Sequence, residues 1–270
     1  TGANAGVGAA IVEDLVESGM VVVGLAMWED RLLEMKNRLR HKGNLHPVKA
    51  DITKEEDLIK AFKWIKENVG GVDVLINNTG VLINSFTPDC NIEDWHKTYD
   101  VNMFAVGACS REAINSMKER QVEDGHIINI NSIASHQVPV LPGFIPYSSS
   151  KFASMAIMEG LRRELAEQKS KIKVTSISPG VVSRELFGAS KSTNELVNIM
   201  DLQDILPKDI ASAVHYVLAT PPNVQVNELI INPVGPVTFF ETTYSAGLRS
   251  ILQDLRPKID QFSHIFLCYF

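Results

Sequence analysis

Cysteine is scarce in this chain of 270 residues, which contains only Cys90, Cys109 and Cys268 and no C-x-x-C pair. Disulfide frameworks and structural zinc sites need several cysteines at short, regular spacing. We therefore expect neither a disulfide framework nor a metal site. Widely spaced thiols are typical of a reducing compartment, so the sequence predicts a cytoplasmic protein.

Long apolar runs and clusters of basic residues are also missing. The longest apolar stretches, at 138–146 and 265–270, are far shorter than the roughly 20 residues of a bilayer-spanning helix. Lys and Arg are scattered, and the formal net charge is −6. We therefore expect no membrane span and no nucleic-acid surface, which leaves small molecules and further copies of the chain as partners.

Apolar, β-branched runs alternate with amphipathic stretches along most of the chain. This alternation is typical of repeated strand–helix units, in which helices cover both faces of a parallel sheet. We therefore predict an α/β fold with a single doubly wound parallel sheet of the Rossmann type. The predicted strands are 21–26, 45–49, 74–77, 126–130, 173–178 and 228–232, and the predicted helices are 6–18, 30–41, 54–68, 93–120, 147–168 and 207–219.

The amino-terminal segment Thr1-Gly2-Ala3-Asn4-Ala5-Gly6-Val7-Gly8 is a glycine-rich turn that leads into the first predicted helix. Glycines let the backbone approach a ligand closely, and the free amides at a helix N-terminus attract phosphate oxygens. The segment therefore predicts a site for a dinucleotide pyrophosphate. A strand of about five or six residues should precede such a turn. None precedes Thr1, so we expect the first strand to be missing.

Ser132, Tyr147 and Lys151 are the candidate catalytic set. Tyr147 and Lys151 lie at positions i and i+4, so on a helix the ammonium comes close to the phenol. A nearby positive charge stabilises phenolate and lowers the tyrosine pKa from about 10 toward the working pH of an acid/base. Ser132 follows a predicted strand and can hydrogen-bond a substrate oxygen. The set predicts proton transfer coupled to hydride exchange with a nicotinamide.

Further motifs follow in a consistent order: Asp51 after a strand, Asn77-Asn78-Thr79-Gly80, Asp100-Val101-Asn102 and Pro179-Gly180-Val181-Val182. With the glycine turn and the Ser132, Tyr147 and Lys151 set, they make residues 1–232 resemble the classical branch of the short-chain dehydrogenase/reductase family. The resemblance implies one NAD(P)-binding domain over 1–232, and residues 233–270 form a tail to which we assign no role.

The resemblance also implies roles for single residues. The glycine turn would line the diphosphate, Asp51 would meet the adenine, and the segment 179–182 would contact the nicotinamide carboxamide. Asn102 would kink a helix and hold a water that links Lys151 to solvent, so it joins the catalytic set. The implied cofactor-binding residues are Gly2, Asn4, Gly6, Val7, Gly8, Asp51, Ile52, Asn78, Gly80, Tyr147, Lys151, Pro179, Gly180 and Val182.

Simpler interpretations of these positions stay open. Asn102 could be a helix-surface residue, and Asp51 could be a helix-cap neighbour of Thr53. Thr79 replaces the alanine usual in the family. The rival to an active enzyme is a catalytically inactive or fragmentary nucleotide-binding protein of the same fold. That rival is motivated by the missing strand, by Thr79 and by the unusual Met27-Trp28 pair.

The segment between Ser132 and Tyr147 is apolar and rich in proline, which predicts an apolar substrate beside Val138 and Phe144. This segment, with 159–165 and 177–182, resembles the subgroup that contains insect farnesol dehydrogenases and vertebrate member-11 dehydrogenase/reductase. The resemblance implies an isoprenoid alcohol such as farnesol, or a steroid, as substrate. It also implies a substrate lid at about 183–206 that includes Phe187, for which a surface helix pair is the alternative.

The cofactor choice depends on the end of the predicted strand 21–26, at Ala26. An acid there would bind the ribose hydroxyls of NAD, and a base would pair with the extra phosphate of NADP. Neither is present, but Arg31 follows shortly afterwards and favours NADP, whereas Glu29 and Asp30 favour NAD or simply begin a helix. We predict NADP, with NAD as the alternative. By resemblance, helices 93–120 and 147–168 would pair in a homodimer or homotetramer.

Overall fold

A computed structural model of the chain describes residues 1–139, 142–182 and 205–234 and has the predicted α/β architecture with parallel strands. The elements in order are α1 (Gly6–Glu17), β1 (Val21–Ala26), α2 (Asp30–Leu39), β2 (Asn44–Lys49), α3 (Glu55–Val69), β3 (Val74–Asn77), a 3₁₀ turn (Thr87–Asp89), α4 (Ile92–Tyr99), a π turn (Asp100–Phe104), α5 (Ala105–Glu119), β4 (His126–Ile130), a 3₁₀ turn (Ile133–Ser135), α6 (Ile145–Glu167), β5 (Lys173–Pro179), α7 (Pro207–Leu218) and β6 (Glu228–Ile231). These bounds confirm the predicted positions of the strands and of most helices.

Local sequence explains the ends of α3. Glu55, Glu56 and Asp57 lie in its first turn, where negative charge is stabilised by the helix dipole. Gly70 follows its last residue with a φ of 86°, a left-handed conformation that costs glycine little. The helix therefore begins and ends where its sequence favours those ends.

The strands form two sheets in the described part of the chain, which corrects the prediction of a single sheet. One has the order β1-β2 and the other has the order β3-β4-β5-β6, and the first described strand begins at Val21. Between β1 and β3 lies an apolar cavity of about 490 Å³, lined by residues of both strands and of α1 and α3. The sheets are joined where the glycine turn begins, because Thr1 N donates to Ile76 O at 2.8 Å and Ala3 N donates to Leu25 O at 3.4 Å.

The predicted helix 93–120 is two helices joined by the π turn at Asp100–Phe104. Asn102 lies in this turn with 1% of its surface exposed. Its Oδ1 accepts from Val81 N and its Nδ2 donates to Val81 O, both at 2.9 Å. The bonds between Asn102 and Val81 stabilise the turn, whose backbone departs from the hydrogen bonding of an α-helix. Such π turns are frequent at functional sites.

Apolar side chains are buried on both faces of the strands. One cluster packs α3, α5 and α6 on one side, and another packs α1 and α7 on the other. Every residue of β4 and β5 is buried, as expected for strands covered by helices on both faces. No helix in the described ranges is long and apolar enough to cross a bilayer.

Candidate active site

A cavity of about 360 Å³ opens where the carboxyl ends of β3, β4 and β5 meet the start of α1. Ligands of open α/β folds bind at this edge, because the loops that follow the strands converge there. Its wall combines the glycine turn, the segment after β3, the turn after β4, the start of α6 and the segment after β5. The lining residues are Gly2, Asn4, Ala5, Gly6, Val7, Gly8, Asn78, Thr79, Gly80, Leu82, Ile130, Asn131, Ser132, Ile133, Ala134, Pro139, Phe144, Tyr147, Lys151, Pro179, Gly180, Val181 and Val182.

The glycine turn brings the N-terminus of α1 to this cavity. Ala5 precedes the helix and provides no side-chain cap, so the first amides of α1 remain available to an anion. A Cβ on Gly8 would lie 2.1 Å from Gly2 O, and therefore only glycine allows this close packing. Thr1 Oγ1 accepts from the backbone N of Asn78 and of Thr79, each at 3.1 Å. The 77–80 motif thus holds the turn in place.

Ser132, Tyr147 and Lys151 come together on one wall of the cavity. Tyr147 and Lys151 lie in the first two turns of α6, where they are 6% and 5% exposed. Lys151 Nζ is 5.8 Å from the centre of the Tyr147 ring and donates to Ile130 O at 3.3 Å. Ser132 follows β4 and forms a hydrogen bond with the Tyr147 phenol. Hydroxyl, phenol and ammonium groups therefore surround one reacting position.

Burial is the main cause of the pKa shifts of Tyr147 and Lys151. It raises the pKa of the Tyr147 phenol above its usual value, and the hydrogen bond with Ser132 lowers the pKa only in part. Burial also lowers the pKa of Lys151 to about 8. The sequence predicted a lowered pKa for Tyr147 from its spacing to Lys151, and the structure raises this pKa instead. The reason is that loss of water opposes both the phenolate and the ammonium.

Asn102 lies behind this wall rather than in it. Its Nδ2 also donates to Ser150 Oγ at 3.1 Å, which ties the π turn to α6 next to Lys151. A Cβ on Gly80 would be 3.6 Å from both Asn102 Oδ1 and Lys151 Nζ, so Asn102 and Lys151 both lie next to this glycine. The alternative of a helix-surface position is wrong, since the residue is buried.

Asp51 and Ile52 do not line the cavity. Asp51 Oδ1 accepts from Thr53 N at 3.1 Å and from Thr53 Oγ1 at 2.6 Å. Burial tends to raise the Asp51 pKa, but these bonds and nearby Lys54 lower it overall. Ile52 packs against the core. The structure therefore contains the capping contact with Thr53 that was the simpler interpretation of Asp51.

The predicted substrate residues divide into three cases. Phe144 is buried and lines the cavity. Val138 is 54% exposed, and its neighbour Pro139 lies in the cavity wall instead, because the chain turns that side chain inward. Phe187 and nearly all of the predicted lid lie outside the described residues.

Leu82 also lines the cavity but was not predicted from the sequence. Its position just after the 77–80 motif could have indicated this, because the residues that follow a parallel strand line the ligand site at its carboxyl end.

Comparison with known proteins identifies the family. Residues 1–195 match the short chain dehydrogenase family. The chain belongs to this family. Over 240 residues it is 45% identical to a farnesol dehydrogenase of Aedes aegypti, with 87% of this chain and 94% of that protein covered. Over 244 residues it is 38% identical to dehydrogenase/reductase SDR family member 11 of Homo sapiens, with 88% and 94% covered.

Solved structures agree with this assignment. The closed form of serine dehydrogenase complexed with NADP+ superposes with a TM-score of 0.78 at 25% identity, covering 91% of this chain and 96% of that chain. The chain is therefore an NAD(P)-dependent oxidoreductase of the classical short-chain dehydrogenase/reductase family. Its cavity fits such a cofactor, because an uncapped helix start suits the diphosphate and Tyr147 and Lys151 lie farther along the same wall.

Proposed function

We propose that this short-chain dehydrogenase uses NADP(H) to interconvert an apolar alcohol and its aldehyde or ketone, with an isoprenoid alcohol such as farnesol, or a steroid, as substrate. The observation that carries the substrate class is the apolar wall formed by Leu82, Ile133, Pro139 and Phe144 beside Tyr147. The 45% identical farnesol dehydrogenase supports the isoprenoid choice.

In the proposed mechanism, the substrate oxygen lies between Ser132 and Tyr147. When bound, the nicotinamide supplies or accepts the hydride. In carbonyl reduction, Tyr147 gives its phenolic proton to the substrate oxygen while Ser132 donates a hydrogen bond to that oxygen. The Lys151 ammonium stabilises the phenolate that remains, and Asn102 holds the backbone and α6 around Lys151. In alcohol oxidation the same proton returns to Tyr147.

The proposed cofactor site extends along the rest of the cavity. The amides of Gly6, Val7 and Gly8, together with Gly2 and Asn4, would bind the diphosphate. The segment Pro179, Gly180 and Val182 would meet the nicotinamide, and Asn78 and Gly80 would flank it. Asp51 and Ile52 follow β2 outside this cavity, so they would contact the adenine only where the cofactor extends beyond the cavity. Arg31 supports NADP, because its guanidinium could pair with the extra ribose phosphate. The absence of a carboxylate at Ala26, which would repel that phosphate, supports NADP as well.

We also propose that both sheets act together as one doubly wound nucleotide-binding domain over 1–232. The segment at about 183–206, including Phe187, would cover an apolar substrate as a lid. Helices α4 to α6 would pair in a homodimer or homotetramer, which is supported by the exposed Ile145 of α6 and the exposed Phe104 of the π turn between α4 and α5. The scarcity of cysteine supports a cytoplasmic enzyme.

The test is a fluorescence titration of the purified chain with NADPH and NADH, followed by addition of farnesal. We expect tighter binding of NADPH and a loss of its fluorescence that depends on farnesal. A polar carbonyl of similar reactivity serves as the control and should react more slowly. Equal turnover of the polar carbonyl would contradict the apolar site, and tighter binding of NADH would contradict the cofactor choice.

A further inference from the structure

Glu228 joins two segments of the active-site wall from behind. It lies on β6 opposite Ser176 of β5, and its side chain is 27% exposed. Its Oε1 lies 2.7 Å from His136 Nε2 and accepts from Ser178 Oγ at 2.7 Å. We call this set of His136, Glu228 and Ser178 the brace. None of its three residues lines the cavity.

His136 connects the brace to the turn that begins at Ser132. The 3₁₀ turn Ile133–Ser135 ends at His136, whose N donates to Ile133 O at 2.9 Å. Ser135 Oγ donates to Ser132 O at 2.6 Å, and Ala134 N donates to Ser132 Oγ at 3.1 Å. Movement of His136 would therefore change the position of the Ser132 hydroxyl.

Ser178 connects the brace to the segment proposed to meet the nicotinamide. It is fully buried and immediately precedes Pro179, which lines the cavity with Gly180, Val181 and Val182. Gly180 N donates to Ile231 O at 2.7 Å, so this segment is already fixed to β6. Through Glu228, the turn after β4 is fixed to the same strand.

The brace acts where the backbone pairing of β4 and β5 stops. The last paired residues are Ile130 and Ile177, and Asn131 N still donates to Ile177 O at 2.7 Å. Beyond this pair, residues of both segments line the cavity, Ser132 to Ala134 on one and Pro179 to Val182 on the other. A hydrogen bond to a carboxylate is about twice as strong as a neutral one, so a partly buried pair at this position can fix their separation.

We propose that His136 and Glu228 are positioning residues, which set the distance between the Ser132 hydroxyl and the segment 179–182. This proposal rests on the proposed function. Hydride and proton transfer require the substrate oxygen and the nicotinamide to be held in one geometry, and a misplacement of about 1 Å can cost about 100-fold in rate. The brace supplies that geometry without contacting substrate or cofactor.

A second histidine–carboxylate pair provides a matched control. His215 Nδ1 lies 3.0 Å from Asp14 Oδ2 between α7 and α1, with the two side chains 49% and 36% exposed. Neither residue lines the cavity. If kcat depended only on having an intact histidine–carboxylate pair, loss of the His215–Asp14 pair would lower kcat as much as loss of the His136–Glu228 pair.

The experiment compares His136→Ala, Glu228→Ala and the double variant with His136→Gln and His215→Ala. We expect each single alanine variant of the brace to lower kcat for farnesal reduction by about tenfold or more, with a smaller change in KM. The kcat of the double variant should lie within about twofold of the kcat of either single variant, because each single variant already removes the same His136–Glu228 interaction. His136→Gln keeps a donor and should recover most of kcat, and His215→Ala should resemble the wild type.

Two further measurements separate positioning from stability and from failure of the proposed function. Deuterated NADPH should give a larger isotope effect in His136→Ala than in wild type, because hydride transfer becomes slower.

Hydrogen exchange at 131–137, measured without cofactor, should increase in His136→Ala and Glu228→Ala and not in His215→Ala. If wild type reduces no apolar carbonyl, the proposed function fails, and the exchange result still tests the brace. Unchanged exchange, or increased exchange with unchanged kcat, would overturn the proposal.

Discussion

The two ends of the larger sheet both bury a lysine, but they differ in what surrounds it. At the carboxyl end, Lys151 lines an open cavity with Tyr147. At the amino end of the same sheet, Lys173 Nζ donates to Thr220 O at 3.1 Å and to Thr220 Oγ1 at 3.0 Å. One buried lysine therefore faces a space for ligands, and the other is bound within the protein.

The same contrast holds for the neighbouring titratable groups. Tyr147 at the carboxyl end forms a hydrogen bond with Ser132, lies beside Lys151 and faces the cavity. His126 at the amino end is 2% exposed and its Nε2 lies 2.7 Å from Thr175 Oγ1. Burial of a titratable group therefore does not by itself indicate catalysis. An adjacent cavity is also needed, so changes at the carboxyl end should affect turnover and changes at the amino end should affect stability.

The largest effect is expected for Tyr147→Phe, which removes only the phenolic hydroxyl. Loss of a positioned acid/base should lower kcat by about 100- to 10,000-fold. The affinity for NADPH should change little, because the ring still fills its place in the wall. Stopped-flow turnover and a fluorescence titration measure the two quantities. Substantial remaining turnover would contradict the role proposed for Tyr147.

Lys151→Ala should lower both kcat and the affinity for NADPH, because the ammonium stabilises the phenolate and would reach the nicotinamide ribose. The pH dependence sharpens the assignment. Since the pKa of Lys151 is about 8, the ammonium is present below pH 8, and kcat/KM for carbonyl reduction should fall above it. In Lys151→Arg the fall should move to higher pH, because arginine keeps its charge. A fall that stays at the same pH would assign it to another group.

The sequence was sufficient for features that depend on local patterns. The strands at Val21–Ala26, Val74–Asn77 and His126–Ile130 have the predicted bounds, because buried parallel strands consist of continuous apolar runs between turn residues. Ser132 was predicted to follow a strand and the segment 179–182 to contact the nicotinamide, and the parallel topology brings both to the carboxyl edge of the larger sheet.

Features that depend on distant contacts could not be predicted in this way. The π turn at Asp100–Phe104 is stabilised by Val81 and Ser150, which are remote in sequence from Asn102. The division into two sheets depends on which strand edges pair. The inward direction of Pro139 rather than Val138 depends on an irregular turn that has no periodicity. The pKa direction of Tyr147 depends on burial, which the spacing to Lys151 does not reveal.

A smaller effect is expected for Gly8→Ala, which tests the cofactor end of the cavity. The added Cβ would lie 2.1 Å from Gly2 O, so the turn must shift, and overpacking of this kind costs about 1–3 kcal/mol. We expect the Kd for NADPH to rise about tenfold or more. Gly160→Ala is the control, because nothing lies within 4 Å of a Cβ at that position. Equal affinities of the two variants would contradict the close packing of the turn.

The smallest effect on activity, with a clear effect on stability, is expected at His126. Burial, with a further contribution from the Lys173 charge, lowers the His126 pKa from 6.5 to about 4. Because the folded protein holds this imidazole neutral, its contribution to stability is complete above pH 6.5 and is lost as the pH falls toward 4. Between pH 7 and pH 5, this linkage amounts to about 2 kcal/mol of the free energy of unfolding.

His126→Gln removes the titration and keeps a side chain able to bond Thr175. Urea unfolding at pH 7 and pH 5 should therefore show a smaller loss of stability in the variant than in wild type, with kcat at pH 7 unchanged. His215→Gln, at a half-exposed position, should keep the wild-type loss. If His126→Gln lowered kcat and left the pH dependence of unfolding unaltered, the two ends of the sheet would not divide turnover from stability. The contrast between Lys151 and Lys173 would then have to be explained by something other than the cavity.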